Sequence, residues 1–246
     1  MLLNVSYENA VQRPSYRTSV VRDHFGIGQD QVRHTIAEGL ELPVKTGDVV
    51  LFLGPSGSGK SSLMRAAAEQ LAGVCRLNKL ELGTRPLVEL IPQPVESAME
   101  LLAKCGLGEA NLLLSTPDEL SDGQRERFRL ALGWAQAPQW LMADEWAAVL
   151  DRTLARVISR NVRRQATRTG TGCLLATTHE DIVEDLQPDL LVRCQVNGSP
   201  DVVRPSSQKK SPDCWANSNL RPGRNETGRI SHGGIIAATT SDWCGM

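Results

Sequence analysis

The chain has 246 residues, 41% of them hydrophobic, which is enough for one sizeable buried core and predicts one α/β domain with at most a small appendage. Its formal net charge of −1 excludes the global positive field that steers proteins onto nucleic acid or anionic membranes. No stretch approaches the roughly 18 consecutive apolar residues of a membrane span, and no signal-peptide pattern is present, so we expect a soluble, cytoplasmic protein.

Three regions differ in character along the chain. Residues 1–18 form a mixed N-terminal segment, and residues 19–25, which include Val20 and Val21, are predicted as a strand. In the predicted domain, 19–196, apolar strand-like runs alternate with helical stretches from residue 40 onward, as is typical of a mostly parallel sheet flanked by helices. Residues 197–246 are rich in Ser, Pro, Gly and Asn, and are expected to form a poorly ordered tail.

A glycine-rich run follows the short apolar strand predicted at residues 49–53. A turn between a strand and a helix directs backbone N–H groups at a phosphate, with the positive end of the helix dipole behind them. In such a motif Lys60 reaches the β- and γ-phosphates, and the Ser61 hydroxyl binds Mg²⁺. The sequence therefore predicts a P-loop, which consists of Gly54, Pro55, Ser56, Gly57, Ser58, Gly59, Lys60 and Ser61.

Two adjacent carboxylates end the apolar strand that is predicted to begin at Trp140. Asp144 is placed to hold the hydration shell of Mg²⁺, and Glu145 to polarise a water for in-line attack on the γ-phosphate. The P-loop independently requires an acid on the metal side, which favours this role over a solvated strand end. His179 follows a later apolar strand, and we expect it to contact the γ-phosphate because ligands of open α/β sheets lie at that edge.

A third motif, at residues 120–124, lies in the chain between the predicted P-loop and the acid pair. Residues 19–193 resemble an ABC-type ATPase nucleotide-binding domain, which implies a P-loop NTPase core with a mostly parallel sheet, flanking helices and a small helical subdomain. The resemblance also implies that the chain binds MgATP, forms an ATP-dependent head-to-tail homodimer and hydrolyses ATP. It is carried by the P-loop, the signature motif at residues 120–124 (Leu, Ser, Asp, Gly, Gln), the acid pair, the pair Leu150 and Asp151, and His179.

The resemblance implies roles for further residues. Phe25 matches the aromatic position that stacks on adenine, and Ser62 extends the phosphate-binding loop. Ser121 and Gly123, together with Gln124, would bind the γ-phosphate held by the opposite protomer. Gln93 is the candidate for the glutamine that senses metal and water, although its place between two prolines is equally typical of a polar turn.

Three features depart from the family pattern. Asp122 replaces the usual second glycine of the signature motif, Trp146 replaces the proline that normally follows the catalytic glutamate, and the sensing glutamine is uncertain. Only 27 residues separate Gln93 from Ser121, which is short for the helical subdomain that grips a membrane partner in transporters. We therefore expect a soluble ATPase that drives an unidentified partner, with the ATP-binding subunit of a membrane transporter, docked on its permease, as the alternative.

A looser resemblance and a basic stripe leave further partners open. Residues 105–110, 119–125, 177–181 and 187–190 resemble soluble ABC ATPases that are often fused to an acetyltransferase-like domain, which suggests a regulatory ATPase of an acetyltransferase or of a nucleic-acid-modifying enzyme. A basic stripe on one helix either contacts a nucleic-acid backbone or is simply solvated; acids elsewhere balance its charge, which favours solvation. The stripe consists of Arg152, Arg156, Arg160, Arg163, Arg164 and Arg168.

Overall fold

The computed structural model describes residues 1–8, 15–26, 33–196 and 198–205. Within these ranges the strands are β1 (Leu2–Glu8), β2 (Arg33–Glu41), β3 (Val49–Leu53), β4 (Val74–Arg76), β5 (Trp140–Ala143), β6 (Gly172–Thr177), β7 (Leu190–Arg193) and β8 (Asp201–Val203). The α-helices are α1 (Tyr16–Phe25), α2 (Lys60–Glu69), α3 (Leu87–Leu90), α4 (Val95–Lys104), α5 (Ala110–Leu114), α6 (Asp122–Ala135), α7 (Arg152–Thr169) and α8 (Val183–Leu186).

Six strands form the central sheet, in the order β4, β5, β6, β3, β7, β8. All neighbouring pairs are parallel except β7 and β8, which confirms the predicted mostly parallel sheet. Leu51 lies in the middle, beside Leu175 of β6 and Leu191 of β7. A separate antiparallel pair consists of β1 and β2.

The sheet is covered on both faces, and alternate residues of β3 show how. Val50 and Phe52 pack with residues of β1, β2 and α2 on one face. Val49, Leu51 and Leu53 pack on the other face with the helical segment between β4 and β5, and with α7. All five side chains of β3 are buried, which explains why this strand reads as an uninterrupted apolar run.

The prediction of a strand at residues 19–25 is wrong, because this segment lies in helix α1. Ser15 caps the helix: its hydroxyl accepts a hydrogen bond from the Thr18 backbone N–H at 3.2 Å, and the Thr18 hydroxyl accepts one from Ser15 N–H at 2.8 Å. Gly26, at φ +60°, ends the helix in the left-handed conformation. These caps satisfy the helix termini and outweigh the β propensity of Val20 and Val21.

The compact unit runs from Met1 to Ser206, past both predicted bounds of the domain. At the N-terminal end, Leu3 of β1 is fully buried in the core. At the other end, β8 adds a strand beyond residue 196, and Arg204 donates a hydrogen bond to the Asp48 carboxylate at 3.0 Å. Most of the predicted tail, from residue 206 onward, lies outside the described residues. Within the described ranges, no helix is long and apolar enough to cross a membrane.

Candidate functional site: an open cavity at the end of β3

The loop between β3 and α2 needs glycines for two reasons, close packing at some positions and left-handed backbone at others. A Cβ atom added to Gly54 would lie 2.2 Å from the Cys194 carbonyl oxygen, and one added to Gly59 would lie 2.5 Å from the Ile36 side chain. Gly57 and Gly59 also have φ values of +79° and +83°, which L side chains rarely adopt. The predicted P-loop therefore requires its glycines for backbone reasons.

Two side chains of the loop hold its turn together. The Ser58 hydroxyl is buried and donates to the Pro55 carbonyl oxygen at 2.8 Å, which places Ser58 behind the loop. Lys60, the first residue of α2, donates from Nζ to the same oxygen at 2.6 Å. Burial raises the pKa of the neighbouring Cys194 thiol to about 11, against the opposing charge of Lys60, so this thiol stays neutral at pH 7.

The acid pair follows β5 at the same edge of the sheet as the P-loop. The Ser61 hydroxyl donates to Asp144 Oδ1 at 2.7 Å, so two hard oxygen donors meet there. Mg²⁺ prefers such a set, with the remaining positions filled by water and phosphate oxygens, so the residues fit the ion that the sequence predicts. Glu145 is exposed beside them, and its backbone N–H also donates to Asp144 Oδ1, at 3.1 Å.

These residues border one open cavity of about 460 Å³. Tyr7 also borders it, a residue that the sequence analysis missed; its ring stacks on His34 with centroids 5.1 Å apart. Phe25, predicted to stack on adenine, is 77% exposed at the end of α1 and is absent from the described lining of the cavity. The described lining consists of Tyr7, Ile36, Ser56, Gly57, Gly59, Lys60, Ser61, Ser62, Asp144, Glu145, Ala148, Thr177 and Thr178.

The two predicted sensor residues lie outside that lining. His179 follows directly after Thr178, and its backbone N–H donates to the Thr177 hydroxyl at 3.2 Å, so it stands at the rim. Gln93 is exposed in the bend between α3 and α4, where its N–H donates to the Ile91 carbonyl oxygen at 2.8 Å. The structure therefore places His179 next in the chain to a lining residue but outside the described lining, and it places Gln93 in a separate bend between α3 and α4.

The signature motif forms the N-terminus of α6. The Ser121 hydroxyl accepts a hydrogen bond from Gln124 N–H at 3.3 Å, and Gln124 Oε1 accepts one from Ser121 N–H at 2.9 Å. A Cβ atom on Gly123 would lie 3.2 Å from the Val149 carbonyl oxygen, so α6 packs closely on the loop that follows the acid pair. In the described part of the chain, none of these three predicted residues lines the cavity of its own protomer.

No family model matches the chain. An aliphatic sulfonates import ATP-binding protein of Rhodococcus jostii is 30% identical to it over 187 residues, which span 64% of this chain and 72% of the relative. The cell division ATP-binding protein FtsE of Mycobacterium tuberculosis is 30% identical over 188 residues, 60% of this chain and 80% of the relative. This chain belongs to the ABC-type ATPases.

Solved structures show the same fold. An ATP-binding cassette solved as a dimer with ADP and Pi matches with a TM-score of 0.58 at 17% identity, over 82% of this chain and 97% of that one. A cassette of Clostridium perfringens, described as part of an ABC transporter complex, matches with a TM-score of 0.54 at 20% identity, over 70% of this chain and 82% of the other. As an ABC-type ATPase, the chain binds and hydrolyses ATP.

Much of the basic stripe of this ABC-type ATPase is held in ion pairs. Four of its arginines form ion pairs with aspartates that follow His179: Arg152 with Asp181 (2.7 Å), Arg156 and Arg160 with Asp185 (2.6 and 2.5 Å), and Arg163 with Asp189 (2.6 Å). Burial raises the pKa of Asp185, but the hydrogen bonds and charges of its two arginines outweigh this, and the net pKa lies below its ordinary value. These pairs favour a structural role over a nucleic-acid contact.

Proposed function

We propose that this chain is the ATP-binding subunit of a membrane transporter and works as a pair of cassettes. The observation that carries the proposal is the contact between Ser61 of the P-loop and Asp144 after β5, which joins the two halves of a MgATP site at one edge of the sheet. A membrane transporter is proposed as the partner because of the relatives. They include ATP-binding proteins of aliphatic sulfonates import, of L-cystine transport and of cell division.

The cavity suggests how ATP is bound. Backbone N–H groups of the P-loop and the Lys60 ammonium would bind the phosphates, with Lys60 exchanging the Pro55 carbonyl oxygen for the anion. Ser61 and Asp144 would hold Mg²⁺, which when bound offsets charge on the phosphate oxygens. Tyr7 lines the cavity and offers the aromatic face for adenine that was predicted at Phe25.

Hydrolysis would use two residues at the γ-phosphate end. Glu145, exposed at the wall of the cavity, would accept a proton from the attacking water as the water oxygen bonds to the γ-phosphorus and the bond from that phosphorus to the bridging oxygen breaks, releasing ADP. His179 at the rim would donate a hydrogen bond to the γ-phosphate once the site closes. Both roles need only small movements, because the flanking residues Asp144 and Thr178 already line the cavity.

The second protomer would complete the site. Ser121, Gly123 and Gln124 lie outside the described lining of the cavity in their own chain, so in this proposal they would bind the γ-phosphate of a partner. One of the solved structures with this fold is a dimer with ADP and Pi, which supports a paired state. Closure around two ATP molecules would then be the movement that drives the transporter.

The transporter assignment replaces the soluble ATPase expected from the short spacing between Gln93 and Ser121. That segment contains the helices α4 and α5, and Val95 and Met99 of α4 are exposed apolar side chains (59% and 44%) that a membrane partner would cover. Neither an acetyltransferase nor nucleic acid is supported by the relatives or by the paired arginines.

The experiment compares Glu145→Gln with wild type. We expect Glu145→Gln to bind ATP, to hydrolyse it at least about 100-fold more slowly and to accumulate ATP-dependent dimers in sedimentation, because the carboxylate that polarises water is lost. The double variant Glu145→Gln, Ser121→Arg should still bind ATP but should no longer form the ATP-dependent dimers. Glu96→Gln, a similar change on the exposed part of α4, serves as the control.

Wild-type turnover by Glu145→Gln would contradict the catalytic assignment. Dimers that persist with Ser121→Arg would contradict the composite site. For the partner, the trapped Glu145→Gln protein should retain a membrane protein with several spans when it is purified from detergent-solubilised cells. If the Glu145→Gln protein instead co-purifies only with soluble proteins, the transporter proposal is contradicted, and a soluble ATPase is favoured.

A further inference from the structure

Trp146 stands directly after Glu145, where the family pattern has a proline, and it is held at three points. Its backbone N–H donates to the Ala176 carbonyl oxygen at 2.6 Å, and its own carbonyl oxygen accepts from the Thr177 hydroxyl at 2.9 Å. Its indole N–H donates to the Ser159 hydroxyl at 3.2 Å. A proline could make neither of the two N–H bonds, so this chain holds the loop in its own way.

The indole bond is buried at both ends. Ser159 of α7 is fully buried, and Trp146 is only 7% exposed. A buried polar group that loses its partner is costly, so this pair fixes the orientation of the indole between β5 and α7. The ring is therefore more than a space-filling core residue, because one hydrogen bond defines where it points.

The residues on either side of Trp146 adopt a conformation that must be enforced. Glu145 has a φ of +55° and Ala147 a φ of +62°, and both are non-glycine residues in the left-handed region. Such conformations persist only where the surrounding structure determines them. The three hydrogen bonds of Trp146, between these two residues, supply that constraint on the backbone from which the Glu145 side chain leaves.

The same contacts link Glu145 to two other parts of the site. Ala176 and Thr177 end β6, which leads to His179, and Ser159 lies on α7, whose first turn is capped by Asp151. Through its hydrogen bonds, Trp146 connects the loop that carries the acid pair to strand β6, which precedes His179, and to helix α7, which follows Asp151.

From these contacts we infer that Trp146 is a positioning residue for Glu145, and that its indole bond to Ser159 holds the carboxylate in the direction needed for hydrolysis. The inference rests on the proposed role of Glu145. A positioning residue of this kind should affect turnover while ATP binding remains, since Lys60 and the P-loop do not contact Trp146 through any hydrogen bond described here.

The test uses Trp146→Phe, which keeps a large aromatic ring but removes the N–H donor, and Ser159→Ala, which removes the acceptor. We expect each to lower kcat about tenfold or more, while the Kd for ATP stays within about twofold of wild type. Trp134→Phe is the matched control, since Trp134 is equally buried (6% exposed) on α6; it should leave kcat close to wild type at comparable loss of Tm.

Wild-type kcat in Ser159→Ala would overturn the inference, and this holds even if Trp146→Phe does not fold. Loss of kcat in Trp134→Phe equal to that in Trp146→Phe, at the same change in Tm, would also overturn it by showing a general effect of core packing. Glu145→Gln, measured in parallel, separates the two claims. If that variant turns over normally, the proposed function fails; if it is slow while Trp146→Phe and Ser159→Ala are not, only the positioning role fails.

Discussion

Replacing Lys60 with Ala should remove most of the stability that ATP gives the protein. Lys60 Nζ lies 2.6 Å from the Pro55 carbonyl oxygen, at the turn of the loop, and would offset the phosphate charge. At about a hundredfold excess of ATP over its Kd, a binding-competent protein gains about 2.7 kcal/mol. The compact unit spans Met1–Ser206, and for this size about 2–4 °C of Tm corresponds to each kcal/mol, so we expect a rise of about 5–11 °C.

Thermal unfolding of wild type and Lys60→Ala, each with and without MgATP, measures this difference. We expect the wild-type rise to shrink to about 1 °C or less in Lys60→Ala at the same ATP concentration, with little change in Tm without ATP. Lys79→Ala, at an exposed lysine outside the described lining of the cavity, should keep the full wild-type rise. An undiminished rise in Lys60→Ala would refute the assignment of this loop as the phosphate site.

Two further predictions concern stability. Asp185→Asn should cost about 1 kcal/mol at neutral pH in urea unfolding, less than is usual for hydrogen bonds to charged groups because solvent screens both half-exposed arginine partners. The folded pKa of Asp185 is lowered, so the wild-type advantage should be present above the ordinary value of 3.8 and decline as the pH falls below it; growth of the advantage in acid would contradict this. Removal of residues 206–246 should leave Tm and turnover unchanged, whereas removal of 197–246 should lower Tm by deleting β8; equal Tm values would show that β8 adds no stability.

The parts of the site that lie within one strand-loop-helix unit were predictable from sequence, because local chemistry determines them. Gly54 is required by a close backbone contact, Gly57 and Gly59 by their left-handed backbone, and the acid at Asp144 follows a buried strand. Tyr7 was missed because its place depends on pairing with His34 across β1 and β2, a register that no local pattern gives. The role of Phe25 was taken from the family resemblance alone, and the strand predicted at residues 19–25 was wrong because the capping residues Ser15 and Thr18, which favour a helix there, were overlooked.

The signature motif shows how a departure from a family pattern can be balanced locally. Asp122 places a carboxylate next to Ser121, where a partner's γ-phosphate would bind, and an unpaired acid there would repel the nucleotide. Arg125, one turn along α6, donates to Asp122 Oδ1 and to the Leu120 carbonyl oxygen, both at 3.1 Å. The ion pair between Arg125 and Asp122 is largely exposed and adds little stability. It nevertheless leaves the first turn of α6 with no net charge. The aspartate is therefore compatible with the ATP-dependent closure that Ser121 and Gly123 would serve.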